Sequence, residues 1–150
     1  MKKLTLPIRY GLVTSAVLIA YFLVLALFNK HINPAFSFLN ALITTLGIYE
    51  VIRLHKLEQT DVFSYTSGFT AGIVTGFTAT AVFTFFFLFY ATEINADFLP
   101  QLLEVIQGGF DVNIGMVTFV VGIMGIATTV VATLTVMQLF KKSRNISQNQ

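Results

Sequence analysis

At 150 residues the chain allows one domain, and 55% hydrophobic against 11% charged residues sets it far from the roughly one-quarter charge of a soluble domain. It has 16 Phe and no Cys, which excludes disulfides, thiol catalysis and cysteine-ligated zinc or iron–sulfur centres. A net charge of +2, from nine Lys and Arg that form no single tract, gives no reason to expect nucleic acid as a partner.

Four apolar segments stand against a spanning requirement of roughly 20 residues. They predict an all-α, polytopic membrane protein with four transmembrane helices, forming one domain over 1–144. Gly11 to Phe28 runs 18 residues without a charged residue or histidine. It is longer than the h-region of a secretory signal and no small-x-small cleavage site follows it, so it reads as a retained first span over about 8–29. Ile32 to Tyr49 runs another 18. It gives a second span over about 34–54, with Pro34 in a first helical turn, where its missing N–H would be unpaired in any case. Val62 to Thr92 runs 31 residues and predicts a third span over about 63–92. In the connection that follows, Leu99, Leu102, Leu103 and Ile106 repeat at i, i+3, i+4 and i+7. That spacing predicts a short external amphipathic helix, capped by Asp97 and stopped at Gly108 and Gly109. Val112 to Phe140 runs 29 residues as the fourth span, about 112–140, and 145–150 is a polar cytoplasmic tail.

Basic residues set the expected orientation. Lys2, Lys3, Arg9, Arg53, Lys56, Lys141, Lys142 and Arg144 flank one side of the membrane and Lys30 alone the other, which places both termini in the cytoplasm. Glu93, Asp97, Glu104 and Asp111 then fall on the external side, in a loop without Lys or Arg.

Two stripes of small residues are the main packing signal. On the third span Gly68, Gly72, Thr75, Gly76 and Ala79 share a face that continues through Phe83, Phe86 and Tyr90; on the fourth, Gly115, Thr118, Gly122, Gly125, Thr129, Ala132 and Thr133 form another. Small residues let helices approach closely, which matters in lipid, where hydrophobic burial no longer drives association. If the two helices are antiparallel neighbours, residues at equal depth have numbers summing to about 205. Gly76 then meets Thr129, Gly72 meets Thr133, Phe83 meets Gly122 and Tyr90 meets Gly115. Lining of a conduit is the competing use of the same residues.

A candidate intramembrane polar site consists of Glu50 and Arg53 with Asn40 and Thr44, on a stripe that includes Gly47. Two readings of Glu50 stand: an interfacial ion pair with Arg53 at i+3, or a proton-relay carboxylate with room beside it at Gly47. Chemistry has little else to use. His31 and His55 are expected on opposite sides of the membrane and cannot share a metal. No catalytic fingerprint is present, and serines near acids, such as Ser64 with Asp61, lack a base in reach, so neither enzymatic activity nor a cofactor is expected.

A lysine-bearing start, a second helix ending in a charged loop, FSYTSGFTAGIVTG opening helix three, and INADFLPQLLE after it resemble the small four-helix membrane proteins grouped as domain of unknown function 4199. The resemblance covers most of Gly11 to Arg144. It implies the fold and a bacterial inner-membrane location, and carries no activity or catalytic residue. The expected partners are the lipid bilayer and either further copies of the chain or another membrane protein. The expected role is non-enzymatic packing or interaction, with a small, oligomeric transport or ion-conducting subunit as the alternative.

Overall fold

The computed structural model describes residues 2–59, 63–106 and 112–140. Asp61, Gly108, Gly109, Asp111, Lys141, Lys142, Arg144 and the tail 145–150 lie outside the described residues. Among those described there are helices and no strand: α1 (Lys2–Leu27), α2 (Ser37–Glu58), α3 (Tyr65–Phe89), α4 (Phe98–Ile106) and α5 (Ile114–Phe140). A 3-10 turn, Pro34–Phe36, leads into α2, and a π turn, Tyr90–Ile94, prolongs α3. Four helical stretches are long and apolar enough to cross a membrane: Thr5–Leu27, Ser37–Glu58, Tyr65–Ile94 and Ile114–Phe140. A helix satisfies its backbone groups within the segment, which hydrocarbon demands. The outward surface matches that solvent, with Phe38, Phe85, Phe119 and Leu139 all largely exposed; in water such a surface would aggregate.

Local chemistry fixes the helix ends. Asn29 adopts φ 53°, with its N–H on Ala26 O at 3.1 Å and the Lys30 N–H on Leu25 O at 2.9 Å. Those paired bonds close a helix through a left-handed residue, a conformation asparagine tolerates better than most. Asn33 Oδ1 then accepts the Ala35 N–H at 3.0 Å, and the Tyr21 hydroxyl donates to Phe36 O at 3.0 Å. Pro34 thus heads the 3-10 turn instead of the second span, which begins at Ser37 and runs to Glu58, a turn past the expected end. Ser64 Oγ accepts the Ser67 N–H at 3.2 Å to open α3, and Asn113 Oδ1 accepts the Met116 N–H at 2.9 Å to open α5.

Helix α3 is the central element, packed against α1, α2 and α5, while α2 also touches α1 and α5. Gly11 against Thr78 and Phe22 against Phe87 make α1 and α3 parallel; Gly72 against Thr133 and Gly125 against Thr80 make α3 and α5 antiparallel. The interior has three tiers. Ile48, Val51, Ile52, Val136 and Met137 form an aliphatic tier at the end that carries His55. Phe22, Phe87, Tyr90 and Phe98 form an aromatic tier at the end that carries His31. Between them lie fully buried threonines, among them Thr129 and Thr75, whose hydroxyl donates to the Pro7 carbonyl at 3.1 Å and ties α3 to α1. Helix α4 covers the aromatic end. Phe98, one residue before the expected apolar face, is its buried anchor at 2% exposure, with Leu102 packed on the same cluster and Leu99 and Leu103 half-buried.

Asn113 caps the start of α5. Asn113→Ala should lower stability by about 1 kcal/mol in denaturant titration of the detergent-solubilised chain. Thr135→Ala, at an exposed position on the same helix, should leave it nearly unchanged.

Candidate functional site

Along the α3–α5 contact, glycine on one helix receives threonine from the other. A Cβ added at Gly72 would stand 2.6 Å from Thr133 Cγ2, and one at Gly125 would stand 2.5 Å from Thr80 Cγ2. At Gly76 it would overlap the Thr129 side chain, while at Gly122 it would find Thr84 at an ordinary 3.7 Å. Helix α3 therefore supplies glycine in the half nearer His55 and threonine in the half nearer His31, and α5 supplies the reverse. The pairs Gly72–Thr133 and Gly76–Thr129 are those expected from equal depth.

The structure corrects the expectation that Phe83 meets Gly122 and Tyr90 meets Gly115. Those rings turn to α1 instead, with centroids 6.2 and 4.9 Å from that of Phe22. A Cβ on Gly115 would meet only Asn113 of its own helix start. Gly68 receives Met137 and Phe63, and the glycine–threonine rule recurs at Gly11 with Thr78 and at Gly47 with Thr14. The hydroxyls of Thr129 and Thr78 donate to Gly125 O at 2.8 Å and Val74 O at 2.7 Å on their own helices. Once so satisfied, threonine acts as a stiff, β-branched apolar wedge. Thr84, Thr118 and Thr133 have buried hydroxyl oxygens with no partner.

The polar group on α2 divides in two. Arg53 Nη1 lies 3.3 Å from Glu50 Oε1, and the two side chains are 54% and 43% exposed. They form a surface pair near one end of α2, and the room expected beside Glu50 at Gly47 is filled by Thr14. Asn40 and Thr44 sit two to three turns away, at the other end: the buried Thr44 hydroxyl donates to Asn40 O at 2.8 Å, and Asn40 Oδ1 is buried without a partner.

His55 lies elsewhere than a second span ending at 54 would put it. Because α2 continues to Glu58, His55 falls on the face of Ile48, Val51 and Ile52, is 4% exposed, and places Nε2 2.7 Å from Ser67 Oγ. Its spacing from Ile48 and Ile52, i+7 and i+3, was the signal available. Ser67 gives its single hydroxyl proton to Gln59 Oε1 at 3.2 Å. In that pattern His55 Nε2–H donates to Ser67 Oγ, so Nε2 has no lone pair free to take the serine proton.

His31 stands in the opposite environment. Its ring stacks on Phe98, 5.3 Å between centroids at 28°, and meets Phe22 and Tyr90 edge-on at 5.6 and 5.8 Å. Both ring nitrogens are buried without a hydrogen-bond partner. Burial lowers its pKa below the ordinary 6.5, because the charged form loses its water.

Finally, a groove between α2 and α5 is lined by Ala41, Thr45, Ala127, Thr128, Val131 and Thr135. Thr45 and Thr135 donate to Ala41 O at 2.7 Å and Val131 O at 2.8 Å, so the groove presents methyl groups more than hydroxyls.

Four apolar spans, with large apolar side chains such as Phe38, Phe85 and Phe119 exposed on the outside, define an all-α, multi-pass membrane protein. The chain belongs to the family described as a protein of unknown function, DUF4199, whose model matches residues 9–116. That match ends at the start of α5, so the α5 half of the glycine–threonine contact lies beyond it. No curated protein and no solved structure matches the chain.

Gly76→Ala forces a methyl onto the branched carbon of Thr129, and neither backbone can yield without parting the helices. It should cost about 1–3 kcal/mol of unfolding free energy in detergent. Adding Thr129→Gly should recover most of that loss. Gly122→Ala, which meets only ordinary contact, should be neutral or slightly stabilising.

Proposed function

We propose that the protein is a non-enzymatic component of a bacterial inner membrane that works by packing against a further transmembrane segment, from its own copies or from another membrane protein. The groove between α2 and α5 carries this reading. Helices in lipid associate through close approach at small residues, and here Ala41, Ala127 and Thr128 line an open channel beside the least buried of the four spans. Its threonine hydroxyls are largely committed to their own carbonyls, so it offers shape rather than a polar binding site. The Ser67–His55 contact is a tie between the end of α2 and the start of α3, since the serine proton is directed to Gln59.

The orientation follows from charge: Arg9, Arg53 and Lys56 belong with the His55 end and Lys30 with the His31 end. The His55 end and both termini are then cytoplasmic, and α4 is external.

An oligomeric transport or ion-conducting subunit is the second reading, favoured by the unpartnered buried oxygens of Asn40, Thr84, Thr118 and Thr133. Oxygens of this kind can replace water around an ion. Within one chain, however, threonines fill the spaces at Gly72 and Gly76 and leave no opening there.

Mass measurement of the purified chain in mild detergent and in lipid nanodiscs should find it in a complex, and Ala41→Leu with Ala127→Leu should dissociate that complex while helicity is retained. A wild-type chain that is monomeric in nanodiscs and copurifies with no membrane protein refutes the packing role. A symmetric oligomer whose ion flux in liposomes is abolished by Glu50→Gln would establish the second reading instead. For the orientation, a reporter fused after Gln150 should be active only in a cytoplasmic assay.

A further inference from the structure

We propose that His31 is a proton-operated latch, which holds α4 on the aromatic end of the bundle at neutral pH and releases it on acidification. The imidazole comes from a short, constrained link. The left-handed Asn29 turn precedes it and the Pro34–Phe36 turn, held to α1 through Tyr21, follows it. The ring is thereby set between Phe22 of α1, Tyr90 of the π turn and Phe98 of α4. Phe98 is the first residue of α4 and its most buried one. Phe98 and Leu102 are the α4 residues packed into the aromatic cluster.

Neutral His31 behaves in this enclosure as one more aromatic ring. Protonation changes that, because it adds a charge and a second N–H where neither ring nitrogen has a partner. Among the described residues no carboxylate compensates. Glu93 of the π turn, and Asp97 and Glu104 on the approach to α4 and within it, are exposed and make no hydrogen bond to the imidazole. Lys30, the neighbouring cation, lies over the Phe36 ring at 5.8 Å, and Tyr90 faces His31 through its ring.

The sign of the pH effect follows. A released ring titrates near 6.5, and the enclosed ring, stripped of water, titrates lower. Above 6.5 both forms are neutral and the latch has its full strength. As pH falls below 6.5 the released form takes the proton first, so the ratio of released to closed rises by up to tenfold per pH unit. That rise stops once pH passes the lowered value of the closed form.

The chain contains no Trp and two His, which makes both needed signals clean. Leu102→Trp places a single fluorophore on α4 beside the cluster. In the full chain in nanodiscs of uncharged net lipid, its emission should shift to the red as pH falls from 7.5 to 4.5, and His31→Phe in the same background should abolish the shift. Histidine-labelled nitrogen NMR of the otherwise native chain should show His31 neutral below pH 6.5, with its signal identified by its loss in His31→Phe. If Leu102→Trp does not fold, hydrogen exchange of α4 amides gives the same test. After correction for intrinsic exchange, acid should raise it in the native chain and leave it unchanged in His31→Phe. The proposal is overturned by a His31 that titrates at or above 6.5, by a pH-independent α4 signal, or by an acid response that survives His31→Phe.

Discussion

When two helices meet inside hydrocarbon, lipid tails solvate a leucine as well as a neighbouring helix does, so cohesion depends on how closely the backbones come together. In this chain that distance is set by threonine pressed onto glycine. The contact appears between α1 and α2 at Thr14 and Gly47, between α1 and α3 at Gly11 and Thr78, and four times in succession between α3 and α5. Each gives the small side of one helix to the branched side of another, so dispersion is gained from both backbone and side chain. The reciprocal order of the α3–α5 series keeps the helices close from Gly72 to Gly125, and the contact loosens at Gly122, where an added Cβ would find Thr84 at 3.7 Å. Two glycines opposed would let them collapse at one end; two threonines opposed would wedge them apart.

That close approach decides where the large side chains go. Since α3 remains small toward α5 as far as Thr84, its Phe83, Phe86 and Tyr90 turn toward α1, where each packs edge-on about Phe22. The aromatic tier is therefore a property of the α1–α3 pair, closed from above by Phe98. At the other end the short link between α2 and α3 brings His55 to Ser67, and a polar tie takes the place of an aromatic one.

How much of this was legible in the sequence depends on how many segments each feature needs. The four spans, and the ion pair of Glu50 with Arg53 at i+3, each rest on one continuous segment and could be read directly. The opposition of Gly72 and Gly76 to Thr133 and Thr129 needs two segments and one assumption, equal depth. It worked at Gly72 and Gly76, where threonines of α5 come nearest. It failed for Phe83 and Tyr90, because depth says nothing about direction when α3 has three neighbours to choose among. His55 was lost through one turn of helix: a span ended at 54 leaves it in a loop, and a span ended at Glu58 buries it. The enclosure of His31 draws on residues 22, 31, 90 and 98, in four separate segments, and no local pattern announces that convergence.

The π turn at Tyr90–Ile94 is where one kind of packing gives way to the other. A wider turn adds a residue to the helical repeat and alters which side chains face inward. Here the Tyr90 N–H is shared between Phe86 O and Phe87 O, the Asn95 N–H reaches back to Tyr90 O at 2.9 Å, and Tyr90 and Ala91 are buried side by side. Tyr90 supplies an edge for both His31 and Phe98, while Ala91, small and adjacent, belongs to the same cluster that receives Phe98. The helix that is bound through its small residues to α5 thus also forms a wall of the enclosure that holds α4. A change in the angle of α3 at its glycines would move Tyr90, and through it the surface on which His31 and Phe98 stack.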